Sequence, residues 1–371
     1  MTLEGKKADS NRSHQQERPA GPGGQRSSSA ADRKRAAALR SKGKRDRKRA
    51  LAAYRRQLAR RRSRRRQLLV AGAVVLAAGL GTAGFIYVNL PQSIAVSGAF
   101  GSKPAVTIPS INPPATLQVK QLISGHGTRV AKGDLAVADL TAYTWSGTAS
   151  KKVSALSTGQ PQPLTVGSTI PGLDKSLEGS QAGSRLLITI PPKEGFGTSG
   201  DSELGISGKD TLVLVVDVLG AYTKTASAHG THESVSGTGL PTVGASSPGN
   251  VPPVHIPNTA PPATLQSQTL IQGTGPVVKK GKLLIAQYEG VIWRTGKIFD
   301  SSWSRHVPAG FQIGTGQVIK GWDDTLVGKR IGSQVLLVVP PADGYGSQGN
   351  SEAGITGTDT LVFVVDILGT Y

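Results

Sequence analysis

Cysteine is absent from the 371 residues. That excludes structural disulfides and thiolate metal sites, and it leaves the compartment open, because many exported bacterial proteins use none. Histidine is sparse and scattered, six in all, and no metal is assigned to it. Aromatic residues make up only 5% of the chain. Acidic residues are scarce at one end: up to Arg66 there are 5 Asp or Glu against 23 Lys or Arg, whereas the remainder has 18 against 20. Of the net charge of +20, +18 therefore belongs to the first 66 residues and not to a folded module.

Charge is missing altogether from Leu68 to Val88, the 21 residues LLVAGAVVLAAGLGTAGFIYV. As a helix this run is about 31 Å long, the thickness of a bilayer core. A buried soluble helix and a cleaved signal peptide are the alternatives. The basic segment before the run is long for an ordinary signal, and the run exceeds a typical signal core, although AVS and SGA downstream are weak cleavage sites. The reading adopted is one uncleaved transmembrane helix over 67–89. The cluster RRQLARRRSRRR abuts it, and positive charge stays on the cytoplasmic side. The expected location is thus the cell membrane, single-pass, with a cytoplasmic N-terminus and everything after Asn89 extracytoplasmic.

Residues 1–66 are expected to be a basic cytoplasmic tail, largely disordered. Within them, spaced Leu39, Leu51, Tyr54 and Leu58 suit a helix on the inner membrane surface held by anionic lipid. A solvated topology signal and a nucleic-acid arm are the competing readings. Nucleic acid is not assigned as a partner, because the charge lies across the membrane from the folded part.

Beyond a stalk at 90–112 the chain repeats itself. PPATLQ occurs at Pro113 and again at Pro261; TLVLVVDVLGAY ends one unit and TLVFVVDILGTY the other. The period is far too long for a solenoid, so it predicts two homologous domains, 113–222 and 261–371. The Ser, Thr, Gly, His and Pro of 223–260 read as a flexible linker. KLLIAQYEGVIW alternates, with Leu284, Ala286 and Tyr288 on one face and Leu283 and Ile285 on the other. QVLLVVPP and TLVFVVDIL are further strands. KGWDDTLVG predicts one short helix. Asp323 and Asp324 suit its positive end, Trp322 and Leu326 share a buried face, and Gly328 stops it. Each unit is expected to be α+β, an antiparallel sheet wrapped around one short helix.

In the second unit YEG, GKIFDSS, QVIKGWDD, PPADGYG and TLVFVVDIL follow in order. Together they resemble the FKBP-type peptidyl-prolyl cis-trans isomerases over essentially all of 265–371. The first unit resembles them less well, mainly in its sheet, helix and final strand. The resemblance implies two tandem domains of this family, the first degenerate; with the anchor read above this makes a membrane-anchored protein, and the style of tail, anchor and linker suggests a bacterial export setting. The resemblance also implies an isomerase of X-Pro bonds in exported, proline-containing polypeptides, without cofactor or metal, and it allows macrolide inhibitors. The implied pocket has Trp322 as its floor and Tyr288, Phe299, Phe363, Val318, Ile319 and Ile355 as walls. Asp300, Tyr345 and the Ile319 N–H supply polar contacts, and Arg305 braces Asp300. Two positions depart from the family: a pocket-edge aromatic falls at Ala309, and the flap carries ITG at Ile355–Gly357.

Carried back to the first unit, Tyr288 becomes Leu140, Trp322 becomes Leu173, Tyr345 becomes Phe196 and Phe363 becomes Leu214. Phe299–Asp300 falls near Lys151–Lys152, while Ile170 and Ile206 are retained. The expectation is a fold kept without its pocket chemistry. Asp217 and Asp366 recur in both final strands and are read as structural or surface residues. The alternative function is a non-catalytic holdase or chaperone that uses the same grooves.

Overall fold

The computed structural model describes residues 93–147, 149–234, 239–245 and 247–371. The basic tail, the transmembrane helix expected over 67–89 and the first residues of the stalk lie outside these. No helix among the described residues is long and apolar enough to cross a membrane.

The described residues open on a small antiparallel hairpin, β1 (Ala95–Ser97) and β2 (Ala105–Thr107). The first repeat follows: β3 (Gln118–Ile123), β4 (Leu135–Ser146), β5 (Ala149–Lys152), β6 (Gln162–Thr165), α1 (Pro171–Leu177), β7 (Arg185–Ile190) and β8 (Thr211–Tyr222). Its antiparallel sheet has the order β3-β7-β8-β4-β5, with β6 also on β4. The helix starts cleanly because Ile170 is extended and Pro171 supplies a pre-set φ at the first helical position. It stops at Gly179, whose φ of +85° suits a residue without a Cβ. Leu173 and Leu177 bury its inner face.

The second repeat is preceded by β9 (Thr231–His232) and the hairpin β10 (Thr242–Val243) and β11 (Val254–His255). It then runs β12 (Gln266–Gln272), β13 (Leu283–Ile292), β14 (Ile298–Ser301), β15 (Ala309–Gln312), α2 (Lys320–Leu326), β16 (Gln334–Val339) and β17 (Leu361–Thr370). The order is β14-β13-β17-β16-β12-β9, with β15 on the first half of β13. Strand parity divides the core. Leu284, Ala286, Tyr288 and Ile292 meet Trp322 and Leu326 of α2. Both repeats are therefore sheet-rich, with one short α-helix each, as the alternation requires.

The structure differs from a bare stalk and a flexible linker. Ile94, Val96, Val106 and Ile108 of the first hairpin region pack on Trp145, Leu187, Val213 and Val215. Leu240, Val243, Val254 and Ile256 cover Leu270, Trp293, Val362 and Val364 in the same way. The indole N–H of Trp145 donates to the Ile111 carbonyl at 2.9 Å, and that of Trp293 to the Thr259 carbonyl at 3.1 Å. The physical reason lies in the strands: Val213 and Val215 alternate with equally apolar Leu212 and Leu214, so both faces of the sheet need cover. A hairpin arm needs only one or two inward valines to supply it, too few to lift a Gly- and Pro-rich segment out of a linker-like composition. The 223–232 segment is also tied down. Its Ala228 N–H donates to Asp366 at 2.8 Å, and β9 pairs with β12.

Asp217 and Asp366 prove to be buried, and so structural. The Arg185 guanidinium, itself 1% exposed, donates to both carboxylate oxygens of Asp217 at 2.6 and 2.7 Å. It also donates to the carbonyls of Gly98, Ala99 and Ser102, so the β1–β2 loop closes over the ion pair. In the second repeat the Gln334 amide takes that place, donating to Asp366 at 2.8 Å.

The repeats meet through outward faces. Leu135, Val137, Leu219 and Tyr222 of the first form one apolar cluster with Leu283, Ile285, Val307, Leu368 and Tyr371 of the second.

Candidate functional site

Trp322 sits in the first turn of α2 and is 3% exposed. Three strands aim rings at it. Tyr288 of β13, Phe311 of β15 and Phe363 of β17 lie 5.4, 4.9 and 5.4 Å from it between ring centroids, each edge-to-face. Phe299 of β14 extends the array, 5.6 Å from Phe363. Edge-to-face contact sets the positive rim of one ring against the negative face of the next, so the group holds its shape. Space for Phe299 comes from Gly290, where a Cβ would fall 2.5 Å from the ring. The Trp322 indole N–H is buried without a hydrogen-bond partner, an exception that functional sites tend to retain.

Polar groups gather at one rim of this floor. The Tyr288 hydroxyl donates to Asp300, and the Arg305 guanidinium pairs with the other oxygen of the same carboxylate. Arg305 also donates to the Tyr288 hydroxyl at 2.9 Å, closing a triangle. Burial, followed by the bond to Asp300, pushes the Tyr288 phenol well above its usual range, so it stays a neutral donor. Ser302 locks the base of this turn: its hydroxyl donates to the Gln287 side-chain carbonyl at 2.5 Å and accepts the Tyr288 N–H at 2.7 Å.

Val318 and Ile319 are half-buried on the approach to α2, and Ile355 is buried from the loop above. That loop is closed by paired backbone bonds between Asn350 and Ile355, at 2.8 and 2.9 Å. Tyr345 stands exposed on the turn after β16. Asp323 plays a local part, accepting the Gly314 and Gly316 N–H groups at 2.5 and 2.6 Å and fastening the loop that leads into α2. Asp324 pairs with Lys320 at 2.6 Å on the outer face.

Phe311 was not among the residues expected here. It is two positions beyond Ala309, on the same face of β15, and the period of two was the signal that would have found it. Its contacts with Tyr288 and Trp322 put an aromatic wall beside the position where Ala309 lacks one.

The described residues of the first repeat build no such rim. Leu140, Leu173, Ile206 and Leu214 form one buried cluster together with Val153, Leu156 and Leu204. Phe196 is half-buried against it. Near Lys151–Lys152, where the Phe–Asp pair was expected, Lys151 is exposed, and Val153 is the residue that reaches the core. Ala142 stands where Gly290 makes room for Phe299 in the second repeat.

A family model described as FKBP-type peptidyl-prolyl cis-trans isomerase matches residues 127–219 and 275–368, both repeats in turn. The chain belongs to this family. Among curated relatives of this FKBP-type chain is the FK506-binding protein of Streptomyces anulatus, 39% identical over 117 residues, which are 32% of this chain and 94% of that protein. Another is peptidyl-prolyl cis-trans isomerase FKBP9 of Homo sapiens, 32% identical over 203 residues, which are 55% of this chain but only 29% of that protein. The crystal structure of AtFKBP13 is 34% identical, covering 30% of this chain and 96% of its own, with a TM-score of 0.28. The described residues of both FKBP repeats contain no group of three or more His, Cys, Asp or Glu able to hold a metal ion.

Proposed function

We propose that the second repeat is the isomerase of this chain and acts on X-Pro bonds of exported polypeptides outside the membrane. One observation carries the reading: an aromatic floor at Trp322 bordered by the Tyr288, Asp300 and Arg305 triangle. Rotation about the peptide C–N bond is opposed by about 18–20 kcal/mol of resonance. X-Pro bonds are nearly balanced between cis and trans yet exchange over tens of seconds or more. The twisted amide has lost resonance, and its carbonyl is less polar than that of the planar form. An apolar floor that displaces water therefore favours the twisted state over the planar one. Each 1.36 kcal/mol of such preference is worth about tenfold in rate.

In this reading the proline ring packs on Trp322, between Tyr288, Phe299, Phe363, Val318, Ile319 and Ile355. Asp300 and Tyr345 hold the flanking peptide, and Arg305 keeps Asp300 oriented. The same apolar floor accepts a macrolide, as the name of the Streptomyces relative suggests for that protein. The first repeat, with leucines at the floor and wall, is inactive or very weak as an isomerase. Residues 67–89 anchor the chain with its basic tail in the cytoplasm, against anionic lipid.

The test is the cis-to-trans rate of a proline peptide with the full chain beside Trp322→Leu, which copies Leu173 of the first repeat. A loss of about tenfold or more, with the fold intact by circular dichroism, is expected. An inactive unmodified chain would turn the assignment to a polypeptide holdase. Full activity in Trp322→Leu would move the site to the first repeat. Protease protection of the tail in intact cells, and salt-sensitive binding of the tail to anionic vesicles but not DNA, test the anchor.

A further inference from the structure

β15 has two faces with different duties. Ala309 and Phe311 look into the aromatic cluster, and Phe311 touches both Tyr288 and Trp322. Gly310 looks the other way, toward the first repeat. A Cβ built there would fall 2.8 Å from Cγ and 3.0 Å from Cβ of Pro163 in β6. Gly310 does not have a positive φ, so its backbone conformation does not call for glycine. The close approach of Pro163 does.

Pro163 is well placed for such a contact. Its ring fixes φ, and its register partner is Val137, which belongs to the apolar cluster between the repeats. Val307, just ahead of β15, and Leu283 and Ile285 of β13 belong to that cluster too. β15 itself is only four residues long and is held along Leu283–Ala286 of β13. Among the described residues it pairs with β13 alone, so only packing on its faces fixes its height over the cluster. One thickness of backbone separates the first repeat from the ring wall over Trp322.

We propose that the first repeat is a positioning element for the pocket of the second: Pro163, seated against Gly310, holds β15 so that Phe311 closes on Trp322 and Tyr288. The repeat that lost its own pocket thereby shapes its neighbour's, and Pro163 sets how the site receives the residues flanking proline. This rests on the assignment of isomerase activity to the second repeat.

The experiment uses the full chain and a peptide series that varies the residue before proline. Gly310→Ala drives a methyl group into Pro163. It is expected to lower kcat/KM by about tenfold, mostly through kcat, and to change the ranking of the peptides. Adding Pro163→Gly to Gly310→Ala removes the clash and leaves the new methyl group as the backing in place of the ring, and is expected to bring back the rate and the ranking to within about twofold. Pro163→Gly alone, which removes backing without adding bulk, is expected to shift the ranking while the unfolding midpoint stays close to that of the parent. If Gly310→Ala does not fold, Pro163→Gly alone decides. Unchanged kinetics and ranking in Pro163→Gly, or a double variant no better than Gly310→Ala, would overturn the proposal. A parent chain without activity would instead sink the assignment on which it rests.

Discussion

The hydroxyl groups of Tyr222 and Tyr371 lie 2.6 Å apart, at equivalent positions of the two repeats. Each occupies the other repeat's missing side chain. A Cβ at Gly220 would fall 1.8 Å from the Tyr371 oxygen, and one at Gly369 would fall 1.8 Å from the Tyr222 oxygen. The rings cross edge-to-face at 6.4 Å. The reciprocity makes the contact a paired lock, built from the ends of the two final strands.

Gly369→Ala is expected to destabilise the chain by about 1–3 kcal/mol, because the tyrosine must move out of a packed site. Tyr371→Phe is expected to cost about 1 kcal/mol, since it leaves the half-buried Tyr222 hydroxyl without this partner. Urea unfolding reads both. Burial raises both phenols above their ordinary value of 10.0. Stability from the pair is therefore whole below pH 10 and declines above it, as the unfolded chain ionises first. A Tyr222→Phe/Tyr371→Phe chain is expected to lose that part of the alkaline decline.

Asp300→Asn separates activity from stability. The Asp300 and Arg305 side chains are 41% and 46% exposed, so their ion pair contributes little to folding, about 0–1 kcal/mol. Its proposed value lies in orienting the carboxylate beside Tyr288. kcat/KM for a proline peptide is expected to fall several-fold, with an unfolding midpoint near that of the parent. Equal losses of both quantities would point to a structural role.

Arg185→Ala is expected to be severe, about 3–5 kcal/mol, because it leaves Asp217 as a buried, uncompensated charge. The Gly98, Ala99 and Ser102 carbonyls lose their donor at the same time. Gln334→Ala, at the matching place in the second repeat, removes a single neutral donor and is expected to cost about 1–3 kcal/mol. Amide exchange in the β1–β2 loop, faster in Arg185→Ala, checks that the loop opens with the pair.

Glu289 is 2% exposed in the middle of β13, with one carboxylate oxygen unpartnered. Burial pushes its carboxyl up from 4.5 to about 7. The sign follows: the folded chain keeps the proton while the unfolded chain gives it up, so stability falls as pH rises from 4.5 through 7. Glu289→Gln, neutral at every pH, is expected to flatten that slope and to raise the melting temperature at pH 8 more than at pH 5. An unaltered pH profile would show that the group is solvated.

Much of this was legible from local pattern. The alternation around Tyr288, the Trp322 and Leu326 spacing and the glycine stops depend on neighbours within one element. The strands and the two short helices follow from them. Resemblance to a family then singled out Trp322, Tyr288, Phe299, Asp300 and Phe363, and folding brings these together through three strands and one helix. Phe311 is not marked by the family pattern, which places its ring at Ala309; only the period of two along β15 marks it as the next inward position. The hairpin arms were missed because composition averages over a segment, whereas cover for Val213 or Val362 takes only a few inward side chains.

The sequence by itself determined that the chain is built from two sheet-and-helix repeats, and that only the second carries the ring-and-carboxylate set. Periodicity and residue identity are local properties. Only the tertiary structure decided what lies on the outward faces: the arms over Trp145 and Trp293, the lock of Tyr222 on Tyr371 and the seat of Pro163 on Gly310. Those contacts join positions far apart in the chain, through faces that alternation marks as apolar without naming their partners. Close packing selects the partner by shape, and shape exists only once both sheets have folded.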